Sequence, residues 1–351
     1  MFKPTSLPDL LSADVDAVID VRSPAEFAED HVPGAINLPV LDNEERARVG
    51  TIYTQIASFE ARKIGAALVF RNAANHIETT LAGYPGGWRP LVYCWRGGQR
   101  SGSFTWMLRE IGWRAEVIEG GYRSFRRLVV ADLYDKDLAQ PMIRLGGYTG
   151  TAKTELLAKL RARGVQVLDL EGLARHRGSL LGARTEPQPS QKAFETALAV
   201  ALSGFDPARP VIVEAESSKI GVLNLPPSLW SAMQRAPLIE VRAPLDARAK
   251  YLAEAYADIL SDGPALREKL EPLRKYRGHA TVDRWDALIA AGDQVALCHA
   301  LAVDHYDPAY AKSAGHLQAH IAARLETDAL TSEALDTLAA RIEQTVQTIS
   351  I

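Results

Sequence analysis

The chain has 351 residues, a formal net charge of −3 and two cysteines. Its length suits two domains better than one, because a single hydrophobic core rarely organises more than about 250–300 residues. The hydrophobic fraction of 47% and the charged fraction of 24% exclude wholesale disorder. Two cysteines exclude a disulfide framework and favour a reduced, cytoplasmic protein, and we expect Cys298, among apolar neighbours, to be a buried filler. We find neither a signal-peptide pattern nor an apolar run long enough to span a membrane. The net charge by itself indicates no nucleic-acid partner.

The first third of the chain alternates short apolar runs with helical patterns. The runs at 17–21, 90–95 and 115–121 end in polar or glycine residues, and helical segments separate them. This alternation predicts a parallel sheet in an α/β domain, which we place at residues 1–127.

A second α/β pattern begins after a connecting segment at residues 128–140. Residues 142–147 predict a strand and a glycine turn. Further strand candidates lie at 165–170, 211–217 and 238–243. From Pro244 onward the pattern is mostly helical, so we place a second α/β domain with a helical C-terminal part at residues 141–351.

Cys94 lies at the end of an apolar run, where a glycine-rich turn begins. Gly97 and Gly98 allow the backbone to curl so that its N–H groups point inward, and Arg96 and Arg100 flank the curl. The helix that follows adds positive potential from its N-terminus. Such surroundings lower the pKa of a thiol and favour the nucleophilic thiolate. The pattern predicts a catalytic Cys94 in an anion-binding loop, and the alternative is an inert buried thiol.

Residues 20–39 and the Cys94 loop together resemble the rhodanese family. The stretch DVRSPAEFAEDHVPGAINLP has the family's Asp-Val-Arg strand end, acidic helix and His-x-Pro-Gly-Ala-Ile-Asn run. Cys94 falls where rhodaneses carry their persulfide. The loop from Cys94 to Arg100 is one residue longer than the usual sulfur-transfer loop and has the length found in phosphatases of this fold. Tyr93 replaces the histidine that usually precedes the cysteine, which weighs against a phosphatase. The resemblance implies a rhodanese-like domain.

The stretch GGYTGTAKTELL predicts a phosphate loop between a strand and a helix. From Gly147 it has the spacing of a Walker A motif, with Ala152 where a glycine is usual, followed by Lys153 and Thr154. Backbone N–H groups and the lysine suit terminal phosphates, and the threonine suits Mg²⁺. The residues that we predict to bind a diphosphate are Gly147, Gly150, Thr151, Lys153 and Thr154.

Carboxylates follow the next two strand candidates. At these positions, P-loop folds place metal or water ligands, although carboxylates at buried strand ends also accept backbone N–H bonds. The residues are Asp169, Glu171, Glu214 and Glu216. No structural-metal spacing is present, and no nucleobase motif follows the loop. We therefore expect no firmly bound cofactor and a diphosphate ester other than ATP, with Mg²⁺ as an optional companion.

Further strings are unusual for a generic phosphate-binding domain. They are LEGLARHRGSLLG, QKAFE, VEAESSKIG and HYDPAY. Together with the rhodanese-like domain and the phosphate loop, they resemble the bacterial tRNA 2-selenouridine synthases. The resemblance implies conversion of wobble 2-thiouridine (U34) in the tRNAs for Lys, Glu and Gln to 2-selenouridine through an S-geranyl intermediate. Geranyl diphosphate would bind the phosphate loop, and selenophosphate would bind the Cys94 loop. The rival interpretation is a sulfurtransferase or phosphatase fused to a P-loop kinase.

The remaining candidates concern the geranyl chain and the tRNA. Segment 64–70, IGAALVF, could wall an apolar slot in which Gly65 leaves room, and core packing is the alternative. Residues 89–127 hold eight arginines against three glutamates, and further basic clusters lie at 175–178 and 273–279. Such cations suit the phosphate backbone of RNA. The residues assigned to tRNA are Arg123, Arg126, Arg127, Arg175 and Arg177.

Overall fold

The computed structural model describes residues 1–178, 181–182, 186–314 and 320–349. The chain divides into two compact units. Unit 1 comprises Met1–Lys136 and Pro189–Ser203, and unit 2 comprises Asp137–Gln188 and the described residues from Gly204 onward.

The elements follow in chain order. The strands are β1 (Ala17–Asp20), β2 (Ile36–Asn37), β3 (Pro90–Tyr93), β4 (Glu116–Val117), β5 (Met142–Gly146), β6 (Gln166–Leu168), β7 (Val211–Glu214), β8 (Lys219–Ile220), β9 (Leu223–Asn224), β10 (Leu238–Arg242) and β11 (Ile321–Glu326). The α-helices are α1 (Leu7–Leu11), α2 (Pro24–Glu29), α3 (Asn43–Gln55), α4 (Ser58–His76), α5 (Gln99–Ile111), α6 (Tyr122–Tyr134), α7 (Lys153–Ala162), α8 (Leu170–Ala174), α9 (Gln191–Ser203), α10 (Pro227–Arg235), α11 (Leu245–Ala255), α12 (Ala257–Leu260), α13 (Gly263–Leu270), α14 (Arg274–Arg277), α15 (His279–Ala291), α16 (Gln294–Leu301), α17 (Asp307–Ala314) and α18 (Ser332–Thr348). Short π-helical or 3₁₀ turns lie at Ile77–Leu81, Glu271–Leu273 and Ala302–Tyr306.

Unit 1 is built on a parallel sheet in the order β2-β1-β3-β4. β1 and β3 pair along their whole length, with Asp20 opposite Tyr93, so their carboxyl ends meet at one edge of the sheet. Ile19, Val92 and Phe104 are fully buried in the core beside this edge. The α/β class that the sequence predicts is confirmed for this unit.

Two helices carry unit 1 beyond residue 127. α6 runs to Tyr134, so most of the segment at 128–140 is helix within unit 1. α9 comes from the second half of the sequence, yet it packs against α6 and α1. Phe194 is fully buried there. Glu195 accepts a hydrogen bond of 2.7 Å from Tyr134 Oη and forms an ion pair with Arg126. α9 thus buries its apolar face in unit 1, away from its neighbours in sequence.

Unit 2 is built on a second parallel sheet, in the order β11-β10-β5-β7-β6. The predicted strands β5, β6, β7 and β10 are present, and β5 lies at the centre of the sheet. The edge strand β11, whose burial alternates residue by residue, was not predicted; the apolar residues of IAARLE do not alternate regularly with polar ones, so the pattern does not distinguish a strand from a helix. α7 and α18 pack together and bury Leu156 and Ile342 in the core. The α/β class is confirmed for this unit too.

Residues 245–314 are almost entirely helical, as predicted. They share a core around the fully buried Trp285, whose Nε1 donates to Asp304 Oδ2 over 3.0 Å. Cys298 is buried in this core, and burial raises the pKa of its thiol to about 12. It is a filler, as expected. Within the described ranges, no helix is both long and apolar enough to cross a membrane.

Candidate active site

The Cys94 loop connects β3 to α5 in unit 1, and the turn that precedes α6 packs directly against it. The N–H of Tyr122 donates to Cys94 O over 2.8 Å. Gly97 and Gly121 both have positive φ, and a Cβ at Gly121 would lie 2.2 Å from Cys94 O. A Cβ at Gly97 would lie 2.7 Å from Ile118 O. The close approach of two turns therefore requires glycine at both positions.

The thiol of Cys94 is only 3% exposed, and its surroundings favour the thiolate. Burial opposes ionisation, but a hydrogen bond of 3.2 Å from Ser101 Oγ, the charge of Arg100 and the N–H groups of Ser101 and Arg96 outweigh it. The net effect lowers the pKa of the thiol. An activated thiol beside an anion cradle can act as a nucleophile or carry a chalcogen.

The predicted cradle residues lie together around the thiol. Gly98 precedes the first turn of α5, Arg96 is exposed, and Arg100 is largely buried. Arg100 Nη1 lies 3.1 Å from Glu26 Oε2. Burial raises the pKa of Glu26, but Arg100, the N–H of Ser23 and the charge of Arg46 together outweigh it, and the net shift is downward. Glu26 thus holds the guanidinium beside the loop as an ionised partner.

A buried charged network under the loop supports it. The Arg22 side chain is 1% exposed, makes a bidentate ion pair with Asp20 and lies 4.0 Å from the ring centroid of Tyr122. Tyr122 Oη donates to Asp30 Oδ2 over 2.8 Å. Tyr93, which stands in place of the family's histidine, is fully buried and accepts a hydrogen bond from a backbone N–H through its hydroxyl. Tyr93 is therefore part of the scaffold. In the sequence, Arg22 is recognisable only as part of the Asp-Val-Arg strand end, so its role under the loop was not predicted.

The phosphate loop of unit 2 runs from β5 to α7. Gly147 and Gly150 have positive φ, and a Cβ at either would lie within 2.8 Å of a neighbouring residue. Ala152 also adopts the left-handed region, with φ of 57°, at a strain of about 1–2 kcal/mol. Ala152, which stands where the motif usually has glycine, thus keeps the left-handed backbone conformation that glycine adopts without strain. Lys153 Nζ donates to Gly147 O over 3.0 Å, which places its charge over the loop.

A pocket of about 680 Å³ opens over this loop. Gly147, Gly150, Lys153 and Thr154 line it, whereas Thr151 is buried, with its hydroxyl donating to Tyr148 O over 2.9 Å. The size of the pocket, the charge of Lys153 and the N-terminus of α7 suit a phosphate ester.

The four predicted carboxylates separate into two pairs. Glu171 and Glu216 line the pocket. Burial, and then the charge of Glu216, raises the pKa of Glu171 to about 7; burial also raises the pKa of Glu216, which accepts a hydrogen bond from Glu171. Thr154 Oγ1 donates to Glu171 Oε2 over 3.0 Å. These oxygens are a ligand set that Mg²⁺ accepts together with substrate phosphates.

The other pair caps local structure. Asp169 Oδ1 accepts the N–H of Gly172 over 2.7 Å at the start of α8. Glu214 is fully buried at the end of β7 and accepts the N–H of Leu170 over 2.9 Å. Burial and the charge of Asp169 raise the pKa of Glu214 well above its usual value.

An ion pair between α11 and α17 contacts the phosphate loop and holds its position. Arg248, on α11, makes a bidentate pair with Asp307, with N–O distances of 2.9 and 2.7 Å. Arg248 Nη1 also donates to Thr149 O over 3.1 Å, and its guanidinium lies 5.1 Å from the ring centroid of Tyr148. Tyr310 contacts the same ring. Asp307 and Tyr310 belong to the HYDPAY segment, so this segment supports the phosphate loop through its contacts with Arg248 and Tyr148. Arg248 was not predicted as a site residue, because it lies in an ordinary helical pattern.

The arginines assigned to tRNA have different surroundings. Arg123 and Arg127 are exposed on α6, whereas Arg126 is paired with the buried Glu195. Arg175 is exposed at the end of α8. Arg177 lines the phosphate pocket and makes two contacts with Asp258.

Gly65 lies on α4 at a groove of about 920 Å³ in unit 1. Apolar side chains line one part of the groove, and a Cβ at Gly65 would lie 3.3 Å from Val49 Cγ1. Arg46 and Arg100 line the groove as well. The groove thus combines an apolar wall with cations from the Cys94 side of the unit.

We predict that Ser101→Ala raises the pKa of the Cys94 thiol, because the thiolate loses its hydroxyl donor. The thiolate absorbance should be titrated against a Cys94→Ser background. Burial raises the pKa of the Cys298 thiol to about 12, above that of Cys94, and the Cys94→Ser background removes its contribution. An unchanged midpoint would contradict the assigned hydrogen bond.

We predict that Asp307→Asn weakens the binding of inorganic pyrophosphate roughly tenfold, about 1.4 kcal/mol, because Arg248 loses its charged partner behind the loop. Titration calorimetry would measure this affinity. The control is Glu343→Gln, which removes the partner of Arg163, 2.6 Å away, at a different cavity of unit 2. Equal affinities for both variants would show that the pair does not shape the loop.

The two halves of the chain match two known families. Residues 140–341 match the family described as the tRNA 2-selenouridine synthase AAA domain, and residues 3–128 match the rhodanese-like domain. The tRNA 2-selenouridine synthase of Shewanella halifaxensis is 32% identical over 322 residues, covering 84% of this chain and 87% of that protein. The synthase of Nitrosomonas europaea is 37% identical, covering 73% and 68%, and that of Salmonella schwarzengrund is 40% identical, covering 70% and 68%. The chain belongs to the tRNA 2-selenouridine synthase family.

Proposed function

We propose that this protein is a tRNA-modifying enzyme that converts wobble 2-thiouridine (U34) in the tRNAs for Lys, Glu and Gln to 2-selenouridine. Geranyl diphosphate first alkylates the sulfur, and selenophosphate then supplies the selenium that replaces the S-geranyl group. Support comes from the pairing of two unlike anion sites in one chain: a thiol with a lowered pKa in unit 1 and a phosphate loop in unit 2. Both cysteines are free thiols, and tRNA is the substrate, so the proposed place of action is the cytoplasm.

In the first step, the sulfur of 2-thiouridine attacks C1 of the geranyl group, the C–O bond breaks, the diphosphate leaves with the electron pair and the base loses its N3 proton. The phosphate loop and Lys153 bind the departing diphosphate and stabilise its charge. Mg²⁺, when bound, would neutralise part of that charge, and Thr154, Glu171 and Glu216 would hold it.

In the second step, the thiolate of Cys94 attacks phosphorus in selenophosphate, the P–Se bond breaks and selenide leaves with the electron pair. The selenide bonds to C2 of the base and gives its proton to N3, the C2–S bond breaks, and the geranyl thiolate leaves and takes a proton from solvent. Water then releases phosphate from Cys94. The N–H groups of the Cys94 loop and Arg100 bind the phosphate part of selenophosphate, and Cys94 serves as the nucleophile. Because the loop lowers the pKa of Cys94, a larger fraction of this thiol is ionised at a given pH than of an ordinary cysteine.

We predict that the two steps separate by mutation. Cys94→Ser should keep geranylation and lose selenation, since only the second step uses the thiol. Lys153→Ala should lose geranylation, since the leaving charge lacks its cation, and should still convert tRNA that is supplied with S-geranyl-2-thiouridine. Mass spectrometry of the nucleosides after each incubation measures both steps.

The control variant is Cys298→Ser, which replaces the cysteine in the helical core and should retain both activities. Equal loss of both steps in Cys94→Ser would contradict the division of labour between the units. A wild-type chain that leaves 2-thiouridine tRNA unchanged with both co-substrates would overturn the proposed function.

We further propose that the groove beside Gly65 holds the geranyl group of the S-geranyl intermediate while unit 1 carries out the second step. Gly65→Leu should raise KM for tRNA supplied with S-geranyl-2-thiouridine roughly tenfold or more, because the added side chain fills the apolar part of the groove. Gly83→Leu adds the same side chain where nothing lies within 4 Å, and it should leave KM unchanged. Equal KM values for the two variants would show that the geranyl group binds elsewhere.

A further inference from the structure

The surface around α14 is basic and carries an exposed aromatic ring. Tyr276, Arg277 and Lys312 line a shallow depression of about 700 Å³. Lys275 Nζ lies 6.0 Å from the ring centroid of Tyr276. We call these four residues the α14 patch.

The positive charge of the α14 patch is not neutralised. Among the residues that the structure describes, none of its three cations has a carboxylate within 4.0 Å. The acids of the surrounding helices are engaged by other arginines. Glu271, Asp283 and Asp286 pair with Arg274, Asp304 pairs with Arg284, and Asp307 pairs with Arg248. The patch therefore offers a net positive surface to an anionic partner.

The ring of Tyr276 is not packed in the hydrophobic core. The residue is 73% exposed, in contrast to Tyr122 and Phe125, which interleave the arginines of α6 but are buried in unit 1. An exposed aromatic face among cations is the combination with which proteins bind single-stranded nucleic acid, because bases stack on the ring while the cations contact phosphates.

The α14 patch adjoins the phosphate pocket of unit 2. Arg277 donates to Nδ1 and O of His305, each over 3.2 Å. His305 lines the phosphate pocket, and Ala309 lines both the pocket and the depression. Burial and the charge of Arg277 lower the pKa of His305, which favours the neutral ring beside the guanidinium. A polynucleotide whose reacting base enters the pocket would therefore pass over the patch.

We propose that the α14 patch binds the single-stranded anticodon loop of the substrate tRNA, next to the base that is modified. Tyr276 stacks on a flanking base, and Lys275, Arg277 and Lys312 contact the backbone phosphates. This inference rests on the proposed function, because it takes the partner to be a tRNA with its reactive base at the wobble position.

The test measures the affinity for a tRNA carrying wobble 2-thiouridine, without co-substrates, over a range of salt concentrations. Tyr276→Ala should weaken binding roughly tenfold, and Tyr276→Phe should restore it, because stacking needs the ring and not the hydroxyl. The double variant Lys275→Ala/Lys312→Ala should reduce the salt slope of log Kd by about 1.5. The affinity for inorganic pyrophosphate should stay unchanged in all three variants, which shows that unit 2 is folded.

A matched control exists on α4, where Phe59 is 65% exposed and Lys63 Nζ lies 5.3 Å from its ring centroid. Phe59→Ala removes a similarly exposed ring from another surface, and Lys63→Ala removes a cation that is neutralised by Glu60, 2.7 Å away; both should bind tRNA like the wild type. Wild-type affinity in Tyr276→Ala, or an equal loss in Phe59→Ala, would overturn the patch while leaving the proposed function intact. A wild-type chain that fails to bind the tRNA would overturn both.

Discussion

Both anion sites depend on one constraint: a loop between a strand and a helix must turn its N–H groups inward while a second segment packs directly against it. In unit 1 the turn before α6 lies against the Cys94 loop so closely that Gly97 and Gly121 leave no space for a Cβ. In unit 2, Gly147 and Gly150 occupy the same situation against β10 and α11. A side chain at any of these positions would separate the loop from its support and disperse the N–H groups that are proposed to bind an anion.

The two sites perturb ionisation in opposite directions because their neighbours differ. Around Cys94, donors and the charge of Arg100 outweigh burial and stabilise the thiolate. Around the phosphate loop, Glu171 and Glu216 are buried side by side and resist ionisation together, with Lys153 only partly compensating. The first site stabilises an anionic thiolate, and the carboxylates of the second favour the approach of further positive charge.

The distribution of arginines shows why a local charge count misleads. Residues 89–127 look strongly basic in sequence, yet Arg89 pairs with Asp14 and Asp16, and Arg100 pairs with Glu26. The acids that neutralise this stretch come from distant parts of the chain. The shorter cluster on α14 is less conspicuous in sequence but keeps its charge, because its neighbouring acids already have other partners.

The sequence by itself determined the class of fold, the central strands and the two loops, because apolar runs and the glycine spacing after β3 and β5 are local signals. Fully buried central strands are predicted easily, whereas the edge strand β11 is half exposed, has no regular alternation of apolar and polar residues, and was missed. Only the tertiary structure decided that α9 packs in unit 1, that Arg248 and Asp307 support the phosphate loop, and that Arg126 is engaged by Glu195 while Tyr276 stays exposed. Each of these depends on residues far apart in the chain, and pairing between distant residues leaves no periodic pattern in the sequence.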